Sequence, residues 1–228
     1  MHGKVKLTKR QIKEDKFATF MLTAKNRLEE NWQIYVIGAV AIILAVVAVV
    51  YYFNSSQSAK EDAAKKYAEA LANAGSGNNQ VAILNLSQIV EQNADAATTR
   101  QSVFMLGQLN LQSRNYPEAT RYFEQYVSKY RDDKLTYAAA LAGLGVCAEN
   151  QGQYADAAAK YQQAADAYPG GPSEGDFLAS AVRSFLEAGD VDKARAQLNV
   201  LKGKYRNSEL TSSAERLFAE KGTTASGS

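Results

Sequence analysis

The chain has 228 residues, with 26 Lys and Arg against 24 Asp and Glu, one cysteine and one histidine. A lone cysteine excludes an internal disulfide, and a single histidine, His2 at the terminus, weighs against metal centres and acid–base catalysis. The charge is uneven: residues 1–33 carry eight basic and four acidic side chains, net +4, and the remainder carries 18 and 20, net −2. Past the first 33 residues the chain is nearly neutral, so no broad basic surface for nucleic acid is expected.

Residues 1–33 read as a basic, amphipathic arm. Thr8 with Gln11 forms a capping-box pattern, in which side chain and backbone donors satisfy one another. Ile12, Phe17, Phe20, Met21, Ala24 and Leu28 then fall largely on one helical face. Such a helix beside a membrane anchor lies in the headgroup layer against anionic lipid, remains a solvated stub, or docks on a partner membrane protein. The sequence leaves these three open.

Ile34 to Phe53, residues 34–53, contains no ionisable charge. Twenty residues at about 1.5 Å each give about 30 Å, the thickness of a bilayer's hydrocarbon core. Trp32 and Tyr35 stand at one end and Tyr51, Tyr52 and Phe53 at the other, where amphipathic rings favour the headgroup levels. Eight Lys and Arg precede the span, while the thirty residues after it hold only Lys60, Lys65 and Lys66. The positive-inside bias therefore keeps the N-terminus cytoplasmic and exports the chain beyond Phe53. A cleaved signal peptide competes, with Ser56 and Ser58 near a cut before Ala59. The length of the apolar run and of the segment before it favours an uncleaved anchor. Gly38, Ala41, Ala45 and Ala48 trace a small-residue stripe of the kind used in helix association within lipid.

Beyond a linker, 54–59, the chain repeats itself. Ala82, Ala119, Ala157 and Ala194 are spaced by 37, 38 and 37 residues. Leu86, Phe123, Tyr161 and Leu198 follow them by four, and Gly77, Arg114, Gly152 and Gly189 precede them by five. Gly107 and Gly145 stand twelve residues before their alanines, each after a leucine. This pattern predicts helix, tight turn and antiparallel helix in each unit. Small residues let backbones approach, and large ones fill the gap to the next hairpin. Glycine at the turn accepts a left-handed backbone, and Pro169 stops a helix.

At these residues the chain resembles the tetratricopeptide repeat family. The third unit carries it best, through Leu144-Gly145, Gly152, Tyr154, Ala157, Tyr161, Ala164 and Pro169, and the second through Leu106-Gly107, Tyr116, Ala119 and Phe123. The first and fourth units are degenerate, and units of 37–38 residues exceed the family's usual 34. The resemblance implies an all-α protein. It comprises an N-terminal amphipathic segment, one transmembrane helix, and an α-solenoid over 60–220 of about four helical hairpins plus a capping helix, Ser208 to Ala219. Residues 221–228 read as a disordered tail.

An N-in anchor followed by four such repeats is also similar to the bacterial ancillary Sec-translocon subunit family, whose periplasmic repeat domain meets chaperones. The longer repeats likewise resemble periplasmic domains of Tol–Pal and outer-membrane assembly factors. The resemblance implies that first helices line a concave, partner-binding groove. The second unit contributes Gln101, Phe104, Gln108, Leu111 and Gln112. The third contributes Ala139, Ala142, Val146, Glu149 and Asn150, and the fourth Asp176, Ala179, Arg183, Leu186 and Glu187. The lysine–asparagine clamp of cytosolic chaperone-binding members is absent, since those positions hold Phe104, Gln108, Ala142, Val146, Ala179 and Arg183. A largely neutral groove would accept a helix or an extended segment with little charge selection. Phe104 and Leu111 have a second reading, as packing against the neighbouring unit.

Other residues read as structural. Cys147 is expected to be a buried apolar side chain, and Tyr116, Tyr122, Tyr126 and Tyr130 inter-repeat packing. Asp132-Asp133 and Asp190/Asp192 are expected to cap helices. No cofactor, metal, nucleic acid or small-molecule substrate is expected, and no enzyme. The sequence instead reads as a single-pass protein of a bacterial inner membrane, N-terminus cytoplasmic and C-terminal domain periplasmic. Its repeat domain would scaffold protein–protein interactions, linking a translocon or other membrane complex to periplasmic chaperones or clients. The alternative is a permanently integrated accessory subunit of a large membrane complex.

Overall fold

The computed structural model describes residues 16–25 and 32–222. The capping box at Thr8 and Gln11, with Ile12 and Leu28 of the arm's apolar face, lies outside them, as do residues 223–228 of the tail. By its contacts the chain divides into Met1–Ser58 and Ala59–Ser228.

In the first unit, residues 16–25 form a helix, α1, on which Phe17, Phe20, Met21 and Leu22 are exposed. The helix α2, Trp32–Gly75, is 44 residues long, and the expected linker, 54–59, lies inside it as continuous helix. Every side chain from Trp32 to Phe53 is exposed. This is the one helix among the described residues that is long and apolar enough to cross a membrane.

Among its described residues, the regular structure of the second unit is all helix. After the end of α2 come α3 (Asn79–Gln92), α4 (Ala96–Gln112), α5 (Tyr116–Lys129), α6 (Lys134–Asn150), α7 (Tyr154–Ala167), α8 (Glu174–Glu187), α9 (Val191–Lys204) and α10 (Glu209–Lys221). From α3 to α9 each helix packs on the next, and α10 packs on α8 and α9. The units are thus antiparallel hairpins closed by a terminal helix.

Local chemistry sets these boundaries. Asp95, Asp133, Asp190 and Ser208 accept hydrogen bonds from backbone N–H groups in the first turns of α4, α6, α9 and α10. Each cap satisfies donors that the helix itself cannot. Asp132 does not cap: it pairs with Arg100 at 2.7 Å. Within the hairpins the turn residue has positive φ in every unit, at Gly77, Arg114, Gly152 and Gly189. The next residue's N–H then donates to the carbonyl five positions back, from Asn78 to Asn73, Asn115 to Asn110, Gln153 to Ala148 and Asp190 to Phe185. This is the left-handed helix stop that glycine favours, and Arg114 adopts it despite its Cβ.

Packing follows the small-residue columns. The Phe123 ring is fully buried between α4 and α6, where a Cβ on either Gly107 or Gly143 would come within 2.6 Å of it. Tyr161 covers Gly145 in the same way, at 2.9 Å. α6 is buried along most of its length, Cys147 included. Burial pushes the Cys147 thiol up, the opposite of what a reactive cysteine needs. Tyr122 and Tyr126 are buried and Tyr130 packs against Tyr126, so the tyrosine run is packing between hairpins.

Candidate partner-binding face

The first helices α4, α6 and α8 carry the residues expected to face a partner. The repeat period aligns Phe104, Ala142 and Ala179 in one column and Gln108, Val146 and Arg183 in the next. Their environments differ sharply along the array.

On α4, Gln101 and Gln112 are exposed and Gln108 is half-buried, and among the described residues none of the three amides has a hydrogen-bond partner. Phe104 lies half-buried beside them. Its ring meets Phe123 and Tyr126 edge-on, with centroids 6.0 and 5.6 Å apart. Leu111 is also half-buried and packs on the same core. Phe104 and Leu111 are therefore packed on one side, Phe104 against α5 of its own hairpin, while the other side stays open.

On α6 and α8 the polar members other than the exposed Asp176 are engaged. The Glu149 carboxylate accepts from Arg183 Nε at 2.9 Å and Nη2 at 3.0 Å, from Tyr161 Oη at 3.0 Å, and from Ser184 Oγ at 3.3 Å. Burial raises the Glu149 pKa, but Arg183, Tyr161 and Ser184 outweigh it, and the net position is below the ordinary carboxylate range. The hydrogen bonds it donates to Glu149 hold Arg183 above its usual value, and burial followed by the Glu149 charge pushes Tyr161 up. Glu187 pairs in the same manner with Lys221 of α10. Asn150 accepts from Tyr116 Oη at 2.9 Å and donates to the Val146 carbonyl. Ala142 and Leu186 are buried in the core and leave little surface for a ligand, while Val146 is half-buried against it.

Of the fifteen expected residues, the amides Gln101, Gln108 and Gln112 and the exposed Asp176 thus have no hydrogen bond or ion pair among the described residues, the amides flanked by the open edges of Phe104 and Val146. Two neighbours escaped the sequence reading. Tyr67 and Leu71 of α2 stand one period before Phe104 and Gln108, and Leu71 is exposed. Extending the columns one unit backwards would have found them. Among the described residues no group of three or more His, Cys, Asp or Glu could hold a metal ion.

A second polar cluster closes the loop before α8. Glu174 is 4% exposed and accepts from Gly170 N at 2.8 Å and Tyr205 Oη at 2.9 Å, and it pairs with Lys204. Burial raises its pKa, but these partners, Lys204 foremost, bring it below the ordinary range. It ties that loop to the end of α9 and faces away from any open surface.

This repeated hairpin with its glycine and aromatic columns defines a helical repeat scaffold. Family models described as Tetratricopeptide repeat match residues 67–134, 104–172 and 150–216, and the chain belongs to that family. A solved structure of nearly identical TPR-like repeats, a variant from a kinesin light chain of Podosopora anserina, is similar in fold. Its TM-score is 0.55 at 17% identity, covering 72% of this chain and 85% of that one. No curated protein matches. Such repeats serve generally as scaffolds for protein partners.

Proposed function

We propose that this protein is a membrane-tethered, non-enzymatic scaffold whose first-helix face holds a polypeptide partner. The observation that carries the reading is the contrast along that face. Gln101, Gln108 and Gln112 of α4 keep free hydrogen-bonding groups beside half-exposed Phe104, while Glu149, Arg183 and Glu187 are spent on their neighbours. Neutral amides beside an apolar edge suit the backbone and apolar side chains of a helix or an extended segment.

The apolar part of α2, residues 34–53, is the anchor, with the arm cytoplasmic and the repeats periplasmic in a bacterial inner membrane. Tethering raises the local concentration of the repeats near a membrane complex, so a modest groove can hold a client. The partners in this reading are a translocon or similar complex, periplasmic chaperones, and exported clients.

The test is in-cell crosslinking from a photoreactive residue at Gln108, with exposed Asn199 on α9 as the comparison position. Gln108-specific adducts to translocon components, chaperones or exported chains support the scaffold. A single stoichiometric adduct to one membrane complex, stable at high salt, makes the protein an accessory subunit instead. Identical adducts from both positions would sink the assignment of the face.

A further inference from the structure

Three grooves of one kind separate the successive second helices α3, α5, α7 and α9. Each is floored by the first helix packed between them, α4, α6 or α8. The repeat period lets equivalent positions be compared, so two grooves serve as internal controls for the third.

In the first groove the wall position is Tyr122. Its ring is 8% exposed, and the Arg121 guanidinium sits 4.1 Å from the ring centre. In the third groove the floor position is Phe185, 5% exposed, with Lys193 Nζ 5.7 Å from its ring centre. Each of these grooves is thus closed by an aromatic ring with a cation beside it, a pairing favoured by the ring's quadrupole. A shallow hollow of 310 Å³ persists at the turn end of the third, against Ala155 and Ala188, and Phe185 does not line it.

The middle groove has neither ring. Its wall position, equivalent to Tyr122, is Lys160, and its floor position, equivalent to Phe185, is Ala148. A cleft of 470 Å³ is left there, lined by Thr120, Leu144, Ala148 and Lys160, with the exposed carboxylates Glu124 and Asp156 at its margin. That volume lies in the range of pockets that take ligands. Lys160 makes no ion pair among the described residues, so the cation is present and the ring is missing. Thr120 Oγ1 is buried with no oxygen or nitrogen partner, and has only the weakly interacting Cys147 thiol beside it. A buried hydroxyl without a partner costs free energy, which a ligand with a polar edge would recover.

We propose that the middle second-helix groove is a receptor slot for an aromatic side chain with a polar edge, tyrosine or tryptophan, presented by a partner polypeptide. Lys160 supplies the cation and Thr120 the hydrogen-bonding group. The partner completes in trans what Tyr122 and Phe185 complete within the chain. This slot is formed by other residues than the first-helix face and does not depend on the function proposed for it.

The test uses the full chain in detergent micelles and the probes N-acetyl-tyrosinamide and N-acetyl-tryptophanamide, with N-acetyl-leucinamide as control. The readout is the methyl NMR signals of Leu144, Ala148 and Ala159. The aromatic probes are expected to shift these methyls in a saturable manner, and the leucine probe is not. Lys160→Ala should weaken the aromatic probes about threefold, the loss of one half-exposed cation–π contact. Lys160→Tyr copies the first groove into the middle one. It should abolish the shifts and raise Tm by about 3 °C as the void fills. Gln108→Ala, on the other face, should leave the probe shifts unchanged. Equal shifts from the leucine probe, or aromatic shifts that persist in Lys160→Tyr, would overturn the proposal. A Lys160→Tyr chain that binds no probe but melts lower would overturn the complementarity with Tyr122 on which it rests.

Discussion

Between the second and third units, one ring fills the joint: Phe123 lies against the backbones of Gly107 and Gly143, with no polar partner. Between the third and fourth units, Glu149 reaches across to Arg183 and Ser184 while Tyr161 donates from below. Both joints link consecutive hairpins and bury apolar side chains, but the polar links of the first, Tyr116–Asn150 and Arg100–Asp132, are exposed, while at the second a charged network engages the half-buried Glu149. Shape complementarity is indifferent to pH and salt but intolerant of volume change, and the network behaves the opposite way. The apolar centre of the first joint is therefore inert to pH and salt, while the second carries a titratable group at its heart.

The largest expected effect breaks the inert joint. Phe123→Ala removes a fully buried ring between two glycines that cannot collapse onto the space, and should cost about 4 kcal/mol in urea unfolding. Gly143→Ala overfills the same place. Its Cβ would approach the ring to 2.6 Å, so despite better helix propensity it should destabilise by about 1–2 kcal/mol. Combined with Phe123→Leu its cost should fall below the sum of the two single changes, because both act on one contact. Additive costs would mean that the ring and Gly143 do not meet.

The charged joint should respond more mildly. Glu149→Gln keeps the shape but weakens the bidentate pair and its tyrosine bond. At a half-exposed site we expect a loss of about 1 kcal/mol, smaller in high salt. The smallest effect is pH dependence. Glu149 and Glu174 both have folded pKa values below the ordinary glutamate range. The stability they contribute is present above about pH 4, the unfolded value, and is lost as pH falls through their folded values. Urea midpoints should therefore drop on acidification below about pH 4. The drop should be smaller in the Glu149→Gln, Glu174→Gln double variant. An equal drop would assign the acid sensitivity to other carboxylates.

Much of the architecture was legible because it is local. Asp133 and Asp190 cap helices through their own first turns, and Gly152 and Gly189 stop helices through their own φ. The column of Gly107 and Gly145 predicted where rings would land. Gly143, by contrast, stands two residues off that column and went unread, although Phe123 touches it as closely as Gly107. The Glu149–Arg183 and Glu187–Lys221 pairs also escaped, because both are 34 residues apart rather than 37 or 38. That offset reflects how one hairpin lies on the next, which the repeat pattern does not carry. Of the face, Gln101 and Gln112 are exposed and Gln108 is half-buried. Ala142 and Leu186 were named with them but are claimed by the core.

By itself the sequence determined the apolar helix, the four hairpins, their caps and turns, and the family. Each of these follows from periodicity or from a side chain acting on its own neighbourhood of backbone. Only the tertiary structure decided which first-helix amides stay free, which carboxylates are spent between units, and which of three equivalent grooves is left without its ring. Those outcomes depend on how side chains from hairpins some 34 to 38 residues apart divide the same space.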